Sequence, residues 1–140
     1  MNARTHKILN TDSKQVDKII QKKYSASFLN NTKWYKLING LTYEFENIYI
    51  NYKLIYDEKV EGYLFDNVDF EPFFLEPIRY KEVEWIEFPR EYEYWSNPNN
   101  LKADKKIFTQ DLISILDKIE SIGLFQLEQE DKSIKIYAYR

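Results

Sequence analysis

The chain has 140 residues, 23 acidic against 20 basic side chains for a net charge of −3, and an aromatic share of 17% made up of 12 Tyr, 9 Phe and 3 Trp. A length of this order fits one domain with one core, and the rings outnumber what such a core uses, which puts some of them at half-wet surface positions. The absence of cysteine excludes disulfides, thiolate nucleophiles and zinc–thiolate sites and fits a reducing cytoplasm, and no run of about 20 apolar residues is available to span a bilayer.

Residues 1–10, MNARTHKILN, are polar, lack the apolar stretch of a signal peptide and read as a flexible tail. The first helix opens near Thr11 to Ser13, with Asp12 as cap and Gln15 reaching back, and carries Val16, Ile19, Ile20 and Tyr24 at helical spacing. A second helix starts with Asn31 as cap, places Trp34, Leu37, Ile38 and Leu41 on one face, and is expected to stop at Asn39-Gly40. From Ile48 the period becomes two, so that Ile48, Ile50, Tyr52, Leu54 and Tyr56 share one face of a strand. A polar turn at Asp57-Glu58-Lys59 leads to a second strand, Val60 to Phe65. Pro72 and Pro77 make Asp66 to Glu76 a loop with Phe70, Phe73, Phe74 and Leu75 as anchors. A third strand runs from Tyr80 to Phe88, with Val83 and Trp85 inward and Glu82 and Glu84 outward. Glu91 to Lys106 reads as a polar connection with turn chemistry at Asn97-Pro98-Asn99-Asn100. A helix from Thr109 presents Leu112, Ile113, Leu116, Ile119 and Ile122 before a Gly123 cap, and strands at Leu124 to Glu128 and Ser133 to Tyr139 close the chain. The order ααβββαββ predicts a single α+β domain over residues 1–140, built on a mostly antiparallel sheet of about five strands with helices on one face.

The residues exclude several chemistries. His6 is the sole histidine and lies in the tail, which rules out a Ser/His/Asp triad and any multi-histidine metal site. Gly40, Gly62 and Gly123 are the only glycines, too few and too scattered for a phosphate-cradling loop. Carboxylates alone are in surplus. Asp66, Asp69 and Glu71, or Glu82 and Glu84, stand at spacings that serve a shared metal ion or an acid/base pair, although acids alternating with apolar residues more often form the solvated face of a strand. The acid–acid–Lys runs Asp57-Glu58-Lys59 and Glu130-Asp131-Lys132 touch a nuclease pattern but fall in turns. No catalytic residue, metal ligand or cofactor is therefore assigned.

Charge is distributed unevenly. Residues 1–40 hold eight Lys/Arg against two Asp, and residues 57–93 hold twelve acids against four bases. Within YKEVEWIEFPREYEYW, acids interleave with Tyr80, Trp85, Tyr92, Tyr94 and Trp95, a composition suited to a hot-spot surface for a basic partner. The residues expected to face that partner are Glu84, Glu87, Arg90, Glu91, Tyr92, Glu93, Tyr94 and Trp95. Lys22, Lys23, Lys33 and Lys36, with Trp34 or Tyr35 to stack on bases, admit a nucleic-acid reading, which the acidic middle disfavours. Self-association through opposite patches stays open, and no membrane partner is expected.

Two stretches, SASFLNNTKWYKLINGL at residues 25–41 and YKEVEWIEF at residues 80–88, resemble a bacterial family of uncharacterised small proteins with an S-F-x-N-N-T-K-W box and a later E-W-I-E strand. The box residues here are Ser27, Phe28, Leu29, Asn30, Asn31, Thr32, Lys33 and Trp34, and the later match is Glu84 to Glu87. The frequent use of Lys, Asn, Ile and Tyr fits a low-GC bacterium or its phage. The resemblance implies no activity. As physical chemistry the box is a helix start with Asn31 as cap and Trp34 turned inward. The expectation is a non-enzymatic protein-binding module of the immunity or antitoxin type, which neutralises a basic toxin in the cytoplasm. The alternatives are a carboxylate–metal or small-ligand enzyme and, second, a phage-type acidic mimic of DNA.

Overall fold

A computed structural model describes residues 12–97, 99 and 104–140; the expected tail with His6, and Pro98 and Asn100 of the expected turn, lie outside the described residues. The elements are helices α1 (Ser13–Lys23) and α2 (Asn31–Glu44), strands β1 (Ile48–Leu54), β2 (Val60–Phe65), β3 (Phe73–Leu75) and β4 (Ile78–Arg79), a 3-10 turn at Tyr80–Glu82, strands β5 (Val83–Pro89), β6 (Glu91–Trp95) and β7 (Lys105–Thr109), helix α3 (Leu112–Ile122), and strands β8 (Gln126–Glu130) and β9 (Ser133–Tyr137). None of the described helices is long and apolar enough to cross a membrane.

Local chemistry accounts for the helix starts. The Asp12 carboxylate accepts from the Gln15 N–H at 2.9 Å, and Lys22 and Lys23 sit in the last turn of α1, where the macrodipole favours cations. In α2 the cap is Asn30, which accepts from the Lys33 N–H at 2.8 Å; Asn31, the expected cap, is the first helical residue. Asp111 caps α3 by accepting from the Ile113 and Ser114 N–H groups, so the helix opens later than Thr109. Gly40 does not end α2. A Cβ there would lie 2.7 Å from Ile122 Cδ1, which shows that the glycine permits close approach of α2 and α3.

Five strands form the main sheet in the order β2-β1-β5-β9-β8, every neighbouring pair antiparallel. The fold is thus α+β, with two N-terminal helices and a C-terminal hairpin. Trp34, Leu37, Ile38 and Leu41 of α2 and Ile115 and Ile119 of α3 share one buried cluster with Ile50, Tyr52, Ile86, Phe88, Ile134 and Ile136 from the inner face of the sheet. Trp34 stacks on Tyr80 with centroids 5.7 Å apart and meets Phe74 edge-on. Burial of a ring this size in such company is worth about 3–5 kcal/mol against alanine.

The third expected strand differs in two ways. Residues 80–82 wind into a 3-10 turn, and Glu84 forms a bulge: Leu54 opposes Val83 while Lys53 opposes Trp85. One inserted residue turns every later side chain to the other face. Val83 is buried as expected, whereas Trp85 lies on the outer face opposite Tyr137 and under Lys135, whose Nζ is 4.2 Å from the ring centroid. Glu82, expected outside, is 0% exposed. It accepts from Arg79 N and Nε at 2.8 Å and from the Tyr56 hydroxyl at 2.9 Å. The loop expected at Asp66 to Glu76 contains β3, which pairs with β4 across the Pro77 turn.

Candidate functional site

The segment expected to be a polar connection folds into a hairpin of its own. β6 pairs with β7 in the register Tyr92 to Phe108, Tyr94 to Lys106 and Trp95 to Lys105, forming a two-stranded sheet separate from the main one. Period-two alternation in Glu91-Tyr92-Glu93-Tyr94 is its sequence signal. A lone two-stranded hairpin is marginal in water, so something must hold it. One anchor is a ring stack: Tyr92 lies parallel to Tyr49 of β1 at 4.4 Å and 3°, with Phe108 on Tyr92 at 5.7 Å. The other is Gln110, between β7 and α3. Its side-chain amide accepts from the Tyr49 N–H at 3.1 Å and donates to the Tyr49 and Pro89 carbonyls at 2.9 and 2.8 Å. Gln110 therefore stands in for a strand where β5 leaves β1.

Between hairpin and sheet two clefts share Leu64, Tyr94 and Trp95 as walls. The larger, about 430 Å³, adds Tyr49, Gly62, Tyr63, Asp66, Glu93 and Lys105. The smaller, about 270 Å³, adds Asn47, Tyr92, Ser96 and Phe108. Lys105 Nζ sits 4.6 Å from the Trp95 ring centroid. Burial, followed by the nearby Tyr94, Tyr92 and Glu61, raises the Tyr49 phenol above its ordinary value, and burial with Tyr94 does the same for Tyr92. Both rings are neutral hydrogen-bonding groups at physiological pH. Neither Asp66 nor Glu93 forms an ion pair with any described residue.

The other residues expected at the site lie elsewhere or are occupied. Glu84 in the bulge accepts from the Tyr24 hydroxyl and from Lys53 Nζ at 3.1 Å, with Lys23 at 3.5 Å. Burial acts to raise its pKa, but the bonds from Tyr24 and Lys53 and the two ammonium charges outweigh burial and leave it below the usual carboxylate range. Glu87 accepts from Asn51 Nδ2 on the outer face of the sheet. Arg90 braces the β8–β9 turn, its backbone N–H bonding to Lys132 O and its guanidinium to Asp131 O. Glu91 is exposed opposite Thr109. The box residues Asn30 to Trp34 serve as cap and first turn of α2, with Trp34 in the core. Sequence reasoning missed Tyr49, Gly62, Leu64, Lys105 and Gln110 as site residues.

The carboxylates considered as metal ligands are dispersed. Glu82 is committed to Arg79 and Tyr56, Glu84 to Tyr24 and Lys53, and Asp69 accepts from the Glu76 N–H at 2.8 Å. Among the described residues no three His, Cys, Asp or Glu side chains gather closely enough to hold a metal ion.

No curated protein and no solved structure matches the chain. The model of the family of unknown function DUF6678 does match, over residues 16–140, and the chain belongs to that family.

Proposed function

We propose that this protein is a non-enzymatic protein-binding module of the immunity or antitoxin type, which neutralises a basic partner in a bacterial cytoplasm through the β6–β7 hairpin and the clefts beneath it. One observation carries the reading: Tyr94 and Trp95 wall both clefts on a hairpin outside the main sheet, beside Asp66 and Glu93, which have no ion pair among the described residues. Half-buried Tyr and Trp supply large contact area at low entropic cost, and the acids beside them, Asp66 and Glu93 against the single Lys105 in the larger cleft, select a cationic surface and speed its approach. Residues 12–40, with six Lys against two Asp, carry the opposite charge to residues 57–93.

The test is capture from the native host with wild type, Trp95→Ala and Glu93→Lys, followed by calorimetry on whatever basic protein is recovered. Trp95→Ala should weaken that complex by roughly 2 kcal/mol, the scale of a hot-spot aromatic. Glu93→Lys should weaken it most at low salt. A captured partner whose affinity is indifferent to both substitutions would refute the assignment of this surface.

A further inference from the structure

We infer that the free edge of β2 accepts an extended, basic segment of the partner as a sixth strand of the main sheet, with the hairpin clefts receiving its outward-facing side chains. The inference rests on the protein-binding reading above and specifies how the partner is held.

The orientation of the β2 backbone follows from Gln110. Because its amide bonds both backbone groups of Tyr49 and also Pro89 of β5, Tyr49 directs its N–H and C=O towards β5. Backbone direction alternates along an antiparallel strand, so Ile48, Ile50 and Tyr52 face β2 and bond their partners Phe65, Tyr63 and Glu61. The remaining β2 residues, Val60, Gly62 and Leu64, turn their N–H and C=O groups outward. No backbone bond from another described element closes on them. The two edges of the sheet are not alike. At the β8 edge Glu128 is already paired with Arg140 at 3.4 Å, whereas Asp66 and Glu93 beside β2 have no ion pair among the described residues.

Charge then selects the occupant. Asp66, Asp69, Glu71 and Glu76 follow β2 directly, and Glu93 lies across the cleft from Gly62; none of these five has an ion pair among the described residues. A second copy paired edge to edge would set two such acidic groups side by side, which is unfavourable. A basic strand gains from the same charges. In strand addition the main chain supplies affinity and alternate side chains supply specificity. Incoming residues bonded to Val60, Gly62 and Leu64 project to the outer face of the sheet. There Lys or Arg meets Asp66, Glu93 and the rings of Tyr94 and Trp95.

The probes are an octapeptide of alternating Lys and Val, its Glu–Val counterpart, and two Lys–Val forms N-methylated at every Lys or at every Val. They are titrated to millimolar concentration against the full, isotope-labelled chain and followed by amide and indole resonances and by hydrogen exchange. The Lys–Val peptide is expected to shift the Trp95 indole and to protect the Val60, Gly62 and Leu64 amides. Methylation at Lys, whose N–H groups point at β2, should weaken binding at least tenfold. Methylation at Val should leave binding within twofold, and the double variant Asp66→Lys, Glu93→Lys should lose at least tenfold. The inference is overturned by any of four results: no response on β2, equal binding of both methylated forms, preference for the Glu–Val peptide, or a peptide-free dimer that protects the same amides. Its failure is separable from failure of the parent reading. If β2 is silent while Trp95→Ala still releases the basic partner, only strand addition falls; if the peptide pairs with β2 but Trp95→Ala leaves partner binding intact, the hairpin assignment falls.

Discussion

Replacing Gln110 by Ala removes the clamp between hairpin, β1 and β5 without touching the core or either cleft wall. Three hydrogen bonds disappear, those with Tyr49 N, Tyr49 O and Pro89 O at 3.1, 2.9 and 2.8 Å. A net of about 1 kcal/mol for each gives an upper value of about 3 kcal/mol. The site is only partly buried, so water recovers some of it, and the expected loss is about 2 kcal/mol, or a fall in Tm of roughly 5–8 °C. Gln110→Glu distinguishes bonding from packing. A carboxylate still accepts from the Tyr49 N–H but sets a negative oxygen against two carbonyls, so it should destabilise at least as much as Ala. Urea unfolding followed by tryptophan fluorescence and circular dichroism reads both effects. A loss below about 0.5 kcal/mol for Gln110→Ala, or a Glu variant as stable as wild type, would show that the ring stack alone holds the hairpin.

Three further outcomes are expected. Gly62→Ala drives a Cβ into the Tyr49 hydroxyl oxygen, and the Tyr92 stack keeps that ring from yielding, so a loss of about 1–3 kcal/mol and an altered cleft should appear in urea melts and Trp95 fluorescence. Gly40→Ala meets Ile122 Cδ1 at 2.7 Å and Cγ1 at 3.3 Å, the movable end of that side chain, and the better helix propensity of Ala offsets part of the shift, so stability should change by less than about 1 kcal/mol. Glu82→Ala removes the acceptor shared by Arg79 and the Tyr56 hydroxyl at a fully buried position and should cost about 3 kcal/mol, with Glu82→Gln recovering part of it because its amide oxygen still accepts.

The last prediction concerns alkaline pH. Burial raises the phenols of Tyr24, Tyr56 and Tyr80 above their ordinary value and pushes Tyr139 up to about 12. Above pH ~10 the unfolded chain releases phenolic protons that the fold retains, so stability is constant on this account below that pH and falls from there towards about 12. Absorbance at about 295 nm should show these tyrosines ionising together with unfolding. Gradual ionisation of all twelve tyrosines in the intact fold would contradict the burial assigned to these four.

Much of the architecture is legible in the order of residues because helix caps and hydrophobic period depend on side chains within about four positions of each other. Asp12 with Val16, Ile19 and Ile20, the alternation from Ile48 to Leu54, and the polar turns before β2 and β9 are signals of this kind. The aromatic, acidic character of Glu91 to Trp95 is legible in the same way. What periodicity misses are places where one residue changes the register or a distant one completes it. Period two puts Trp85 in the core; the Glu84 bulge, visible only against β1, puts it outside. Asn39-Gly40 reads as a helix stop, but Ile122 needs the space beside that glycine.

The amino-acid sequence by itself determined the α+β class, the buried faces of α2 and β1, the lack of thiol and multi-histidine chemistry, and the segregation of charge, all of which follow from composition or near neighbours; in α3 the expected face is wrong in part, since Ile113 is 74% exposed and Ile115 is buried in its place. Tertiary structure alone decided that Glu82 and Glu84 are held within the fold while Asp66 and Glu93 have no ion pair among the described residues. It also decided that Gln110 joins groups 21 and 61 residues away, at Pro89 and Tyr49. The physical reason is that a carboxylate's role depends on which cation or N–H the folded chain brings within about 3 Å, and that choice spans the whole fold.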